Sequence, residues 1–143
     1  RLYFNKLFGI GFKRMHRTTE AINSKLNYSY TILLSAVNRI VSIYGYHYAL
    51  GINHRNPFNP FNLSSDLMEP FRVFADNAVF LLKPGELDGE AKTNLIRLPY
   101  KKIKFGGERM ILETALEKYI KQVLDNVGEG KYEIEELEFI NAQ

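Results

Sequence analysis

The sequence predicts a mainly α domain with one small β-hairpin, on three observations. Apolar residues recur at steps of three and four over three separate windows, the signature of amphipathic helices. Glycine pairs and a Pro-Gly step fall between those windows, where chain reversals belong. One stretch alone, Lys101 to Met110, alternates apolar and polar residues with the two-residue period of a strand. The 143 residues suit a single domain, 1–143. Apolar residues make up 45% and charged residues 24%, the balance of a chain that folds around a core.

The elements follow in order. Leu2, Tyr3, Phe4, Leu7 and Phe8 read as the end of a helix stopped by Gly9 and Gly11, with a polar, basic loop through Thr19. A long helix is expected from Ala21 to Tyr44. Leu26, Tyr30, Leu33, Val37, Ile40 and Tyr44 line one face, Leu34, Ala36 and Val41 widen it, and Gly45 ends it. From Leu50 to Asn62 no long helix can form, because Pro57 and Pro60 remove donors and four asparagines favour turns. Its phenylalanines suggest a loop packed down on the body. A second helix is expected from Leu63 to Leu82, capped by Ser64 or Ser65, with Leu67, Phe71, Phe74, Ala78 and Leu82 on one side. Pro70 should kink it and free the Asp66 carbonyl. Pro84-Gly85 closes that helix, and Glu86 to Thr93 reads as loop. The hairpin turns at Gly106-Gly107. A third helix runs from Met110 to Asn126, with Leu112, Ala115, Leu116, Tyr119, Ile120 and Val123 inward and Gly128 and Gly130 beyond it. The acidic tail from Lys131 to Phe139 fits strand or helix.

Several chemistries are excluded. With no cysteine there is no disulfide, thiolate metal site, iron–sulfur cluster or cysteine nucleophile. Gly106-Gly107 lacks a phosphate-loop frame, Ser64-Ser65 lacks a nucleophile elbow, and His47 between two tyrosines reads as packing. No window approaches the ~18 consecutive apolar residues of a membrane span, so no membrane partner is expected. Charge is uneven. Residues 1–60 carry eight Lys/Arg against one acid (+7), and residues 61–143 carry eleven against fifteen (−4). The basic half suits a polyanion, although an uneven surface would look the same. His16 with Lys13, Arg14 and Arg17 could touch phosphates or form a solvated loop.

One constellation could carry catalysis: His54, Asp66 and Glu69. The acids stand at i and i+3 and project from one helix face. If the loop holding His54 folds back on that helix, imidazole nitrogen and carboxylate oxygens converge. That donor mixture suits Mn²⁺, or Mg²⁺ where oxygen dominates, and such an ion is a Lewis acid for a phosphodiester. By spacing alone, the readings of His54 as a turn residue and Asp66 as a first-turn acid facing the helix dipole take precedence over a metal site.

Four stretches go further: Ile22-Asn-Ser-Lys-Leu-Asn-Tyr-Ser-Tyr30, Gly51-Ile-Asn-His54, Asn59-Pro-Phe-Asn62 and Ser65-Asp-Leu-Met-Glu-Pro-Phe-Arg72. Together they resemble the CRISPR-associated adaptation integrase family, the catalytic subunit of spacer acquisition, in its type II branch. The resemblance is strong from Arg1 to Asp76 and weaker to Asn126. It implies a helical C-terminal catalytic domain from a longer protein with an N-terminal β-domain, and the chain's start at Arg1 agrees with a fragment. It implies His54 and Glu69 as ligands to Mg²⁺ or Mn²⁺, with Asp66 the adjacent catalytic acid. The family's first glutamate would fall before Arg1, so the chain alone is expected to be inactive. The implied reaction is attack by a DNA 3′-hydroxyl on a phosphodiester at the leader–repeat junction of a CRISPR array. Implied partners are double-stranded DNA (protospacer and leader–repeat), a second CRISPR-associated adaptation protein, and a homodimeric copy in the full-length form, in a prokaryotic cytoplasm. Arg55 and Arg72 are the cations expected nearest the scissile phosphate, followed by Arg14, Arg17 and Arg39. The competing reading is a non-catalytic helical DNA-binding or assembly module.

Overall fold

The computed structural model describes residues 2–16, 20–47, 49–52, 56, 58–129 and 137–139. Helix α1 (Leu2–Phe8) ends at Gly9, whose φ of 101° a side chain would resist. Helix α2 (Ala21–Ile43) is the axis of the fold and packs against every later helix. Its expected stripe holds: Leu26, Leu33 and Val37 are fully buried and Ile40 nearly so, while Tyr30 and Tyr44 are half-buried.

The second helical window is three pieces: α3 (Asn62–Met68), a 3-10 turn (Glu69–Phe71) and α4 (Arg72–Phe80). Pro70 explains the break. It cannot donate to Asp66, but the chain tightens, and the Glu69 N–H donates to the Asp66 carbonyl one residue early. The predicted freed carbonyl is therefore satisfied. Ser64 and Ser65 are not caps: they lie inside α3, whose N-cap position is Phe61, without a side-chain bond.

Where a loop was expected over Glu86 to Thr93, α5 (Gly89–Ile96) begins. Asp88 caps it, its Oδ1 accepting the Ala91 N–H at 2.7 Å. A 3-10 turn (Leu98–Tyr100) leads into β1 (Lys102–Phe105) and β2 (Glu108–Ile111), antiparallel with Phe105 opposite Glu108. Gly106 and Gly107, with φ of 56° and 78°, supply the doubly left-handed turn that a two-residue hairpin needs. Helix α6 (Leu112–Glu129) runs through Gly128 rather than stopping before it. The ambiguous tail resolves in part: Leu137–Phe139 form β3, antiparallel to β1, giving the sheet order β2-β1-β3. Gly130 and residues 131–136 lie outside the described residues.

Two apolar clusters result. The larger joins α2, α3, α4, α6 and β1 through Leu33, Val37, Leu67, Phe71, Phe74, Ile103, Leu116 and Ile120. The smaller sets Leu26, Val79 and Leu95 against Phe4, Phe8 and Phe12, and so docks α1. Among the described residues no helix is long and apolar enough to cross a membrane.

Candidate active site

The segment before α3 is tied to that helix by polar bonds. Asp66 Oδ2 accepts the Ile52 N–H at 2.7 Å, and Asn62 Nδ2 donates to the Asn56 carbonyl at 2.9 Å. Asn56 and Asn59 each accept the N–H two residues on, both at 3.0 Å, so the asparagines make local turns as expected. Apolar packing contributes less than the sequence suggested, since Phe58 is 91% and Leu50 76% exposed. His47 is likewise exposed rather than packed, its Nδ1 accepting the Ala49 N–H at 3.3 Å.

His54, Arg55 and Arg17 lie outside the described residues. Asp66 and Glu69 are described, and they do different things. Asp66 is half-buried and engaged with the loop backbone; its charge also helps hold the buried Tyr119 phenol above its ordinary pKa, after burial itself. Glu69, in the 3-10 turn, keeps its side chain 59% exposed and pairs with Arg72 Nε at 2.9 Å. No cluster of three His, Asp or Glu side chains able to hold a metal occurs among the described residues. Of the expected ligand pair, the described residues supply the Glu69 carboxylate, exposed and an oxygen donor of the kind hard divalent cations take.

The predicted cations separate into two groups. Arg39 pairs with Glu113 of α6, on the C-terminal half of α2. Arg14 and Arg72 instead converge on the Tyr30 ring, their guanidinium carbons 5.1 and 5.2 Å from its centroid. Arg14 is held there by asparagines on α2: Nη1 donates to Asn23 Oδ1 at 3.1 Å and Nη2 to Asn27 Oδ1 at 2.7 Å. Asn23, Asn27 and Tyr30 stand at i, i+4 and i+7 and share one face. Asn23, fully buried, also accepts the Met15 N–H and donates to the Lys13 carbonyl and to Glu20. His16 is exposed, and burial followed by the charges of Arg14 and Arg72 lowers its pKa.

Beneath the arginines lies a node that sequence reasoning missed. Asp76, 3% exposed, accepts the Tyr30 hydroxyl at 2.5 Å and the Tyr3 hydroxyl at 3.0 Å. Burial pushes the Asp76 carboxyl up, against the opposing pull of both phenols and both arginines. Both tyrosines are pushed up, by burial first and by Asp76. An acid between Ala75 and Asn77 on a helix otherwise read as apolar was the available signal, but nothing in the spacing named its partners.

Comparison with known proteins gives this geometry a context. Residues 3–94 match the family model described as CRISPR associated protein Cas1. A CRISPR-associated endonuclease Cas1 from Neisseria meningitidis serogroup C (strain 8013) is 37% identical over 124 residues, 83% of this chain; the chain spans 40% of that relative's length. In fold, the chain resembles a casposase bound to integration product, with TM-score 0.69 and 18% identity, over 93% of this chain and 48% of that one. The asparagine-pinned arginine, the loop bonded to α3 and the Pro-broken acidic turn all lie inside the matched span, and this chain belongs to the Cas1 family of CRISPR-associated proteins.

Proposed function

We propose that this chain is the helical catalytic portion of a metal-dependent DNA endonuclease and integrase that inserts new spacers into a CRISPR array. The observation that carries the reading is the pinning of the loop to α3, through Ile52 to Asp66 and Asn56 to Asn62. His54 lies between those two bonded positions in the chain, and Glu69 follows Asp66 by three residues, in the 3-10 turn that continues the helix they are bonded to. In this reading His54 and Glu69 hold Mg²⁺ or Mn²⁺, and Asp66 keeps the loop in place. The bound ion supplies Lewis-acid polarisation of the scissile phosphate. A 3′-hydroxyl oxygen of the incoming DNA forms the new P–O bond. The old bond to the target strand's 3′ oxygen breaks, and that oxygen leaves with a proton. Water in place of the 3′-hydroxyl gives the endonuclease reaction named for the Neisseria relative. Arg72, next to Glu69, and Arg55 bind phosphate oxygens, with Arg14 on the same side. Partners in this reading are protospacer and leader–repeat duplex, a second adaptation protein, and a second copy of the full-length chain.

The test is made on the full-length protein. His54→Ala and Glu69→Gln should each abolish strand transfer into a leader–repeat duplex while leaving the thermal melt near the parental one. Integration at the parental rate by either variant overturns the metal-site assignment. If the domain were a non-catalytic DNA-binding module, its DNA affinity would fall steeply with salt and ignore Mn²⁺. Titrating binding against salt with and without the ion separates the two.

A further inference from the structure

Two guanidiniums rarely share one ring without a reason to tolerate their mutual repulsion. Here Arg14 reaches Tyr30 from the loop before α2, and Arg72 reaches it from the first turn of α4. Each lies within 5.2 Å of the ring centroid, so their separation cannot exceed about 10 Å, twice that reach. A separation inside that bound is within reach of a few successive phosphates of one strand, which follow at about 3.4 Å along the duplex axis. The compensating acids are only partly opposed to them. Glu69 takes one edge of Arg72, and Asp76 lies at the hydroxyl end of the ring, occupied by two hydroxyls. Among the described residues the hydrogen-bond acceptors of Arg14 are amide and carbonyl oxygens, none of them charged. Among the described residues Arg14 spends Nη1 on Met15 and Asn23 and one Nη2 proton on Asn27, and Arg72 spends Nε on Glu69, so Arg14 Nε, its second Nη2 proton and the terminal nitrogens of Arg72 are the donors that would meet phosphate oxygens.

We propose that Tyr30 is the positioning residue that turns Arg14 and Arg72 into a single clamp on the DNA phosphate backbone, its ring locked by the hydroxyl bond to Asp76. The proposal rests on the DNA-binding reading above. Tyr30 itself touches no DNA in this scheme. Its ring sets the distance between the two cations, and Asp76 sets the tilt of the ring. Tyr3 on α1 shares the same carboxylate, so docking of the first helix feeds into the clamp.

The experiment measures binding of the full-length protein to a labelled duplex by fluorescence anisotropy, in EDTA, across a range of KCl concentrations. Each lost phosphate contact lowers the slope of log K against log salt by about 0.9 on B-form DNA. Arg14→Ala and Arg72→Ala should each lower it by roughly that amount. Tyr30→Leu should lower it by about as much as both together, whereas Tyr30→Phe, which keeps the ring but loses its bond to Asp76, should give a slope between those of the parent and Tyr30→Leu. A purely structural tyrosine would change the melting temperature and leave the slope alone. A parental slope in folded Tyr30→Leu overturns the clamp. Should Tyr30→Leu fail to fold, the Arg14→Ala/Arg72→Ala double variant decides, since it removes no core side chain. One clamp makes the second deletion cost less affinity than the first, and strictly additive losses overturn it. A parental protein that binds no duplex overturns the DNA reading, and the clamp with it; a binding parent with unaltered variants overturns the clamp alone.

Discussion

Tyr30 shows how a single side chain can serve the core and the surface together. Its position in the α2 stripe was legible from the spacing of apolar residues. Its hydroxyl bond to Asp76 was not, because the carboxylate comes from 46 residues further along the chain. Removing that hydroxyl leaves a buried carboxylate short of a donor, which costs about 1–3 kcal/mol. Tyr30→Phe should therefore lower stability by roughly that amount, read from urea unfolding. The pH dependence has a definite sign. Asp76 is raised above the ordinary 3.8, so the folded protein keeps its proton to higher pH than the unfolded chain does. Its contribution is largest below 3.8, shrinks as pH rises through the raised value and is level above it. Asp76→Asn should remove that slope, so the stability gap between parent and variant narrows over the same interval. Glu69 was legible as a candidate ligand. Its bond to Arg72 follows from i,i+3 spacing alone, and such a partner competes for the carboxylate with any cation.

At the scale of elements, local chemistry decides where each piece begins. The hairpin was fully legible: two adjacent glycines between alternating strands admit few other conformations. The α5 helix was not, although Asp88 caps it. Between Glu86 and Ile96 only Ala91 and Leu95 are buried, a single i,i+4 pair too short to set a period. The cap consequently matters more than usual there, because little packing supports the first turn. Asp88→Ala should destabilise the domain by about 1 kcal/mol, with amide exchange in the first turn of α5 accelerating more than elsewhere. Pro70 has the opposite character. It was recognised as a helix breaker, but the chain answered with a tighter turn that satisfies the Asp66 carbonyl and places Glu69 and Arg72 together.

Across the whole molecule, the division into a basic first half and an acidic second half does not survive folding. Arg39 of the first half pairs with Glu113 of the second, and Arg72 of the second half joins Arg14 of the first. Linear charge asymmetry pointed to a polyanion without locating its surface, because long-range contacts decide which cations stay unopposed. The common support for both arrangements is the larger core, centred on α2. Phe71, the last residue of the turn that carries Glu69, is fully buried there in contact with Phe74 and Tyr119. Phe71→Ala should cost about 3–5 kcal/mol, a large part of a domain's usual 5–15 kcal/mol, which are about what typical folds possess. Chemical denaturation would show it as a lowered midpoint with an unchanged m-value.

The sheet order carries one more implication. Because β3 lies along β1, the middle strand has both its hydrogen-bonding margins covered, by β2 and by Leu137–Phe139. Shortening the polypeptide ahead of Leu137 would strip one margin bare and leave a row of unsatisfied amides and carbonyls facing solvent, a ready template for another molecule. Such a truncated protein should self-associate in a concentration-dependent way, visible by light scattering, to a greater degree than the intact chain, whose edge on that side is the three-residue β3.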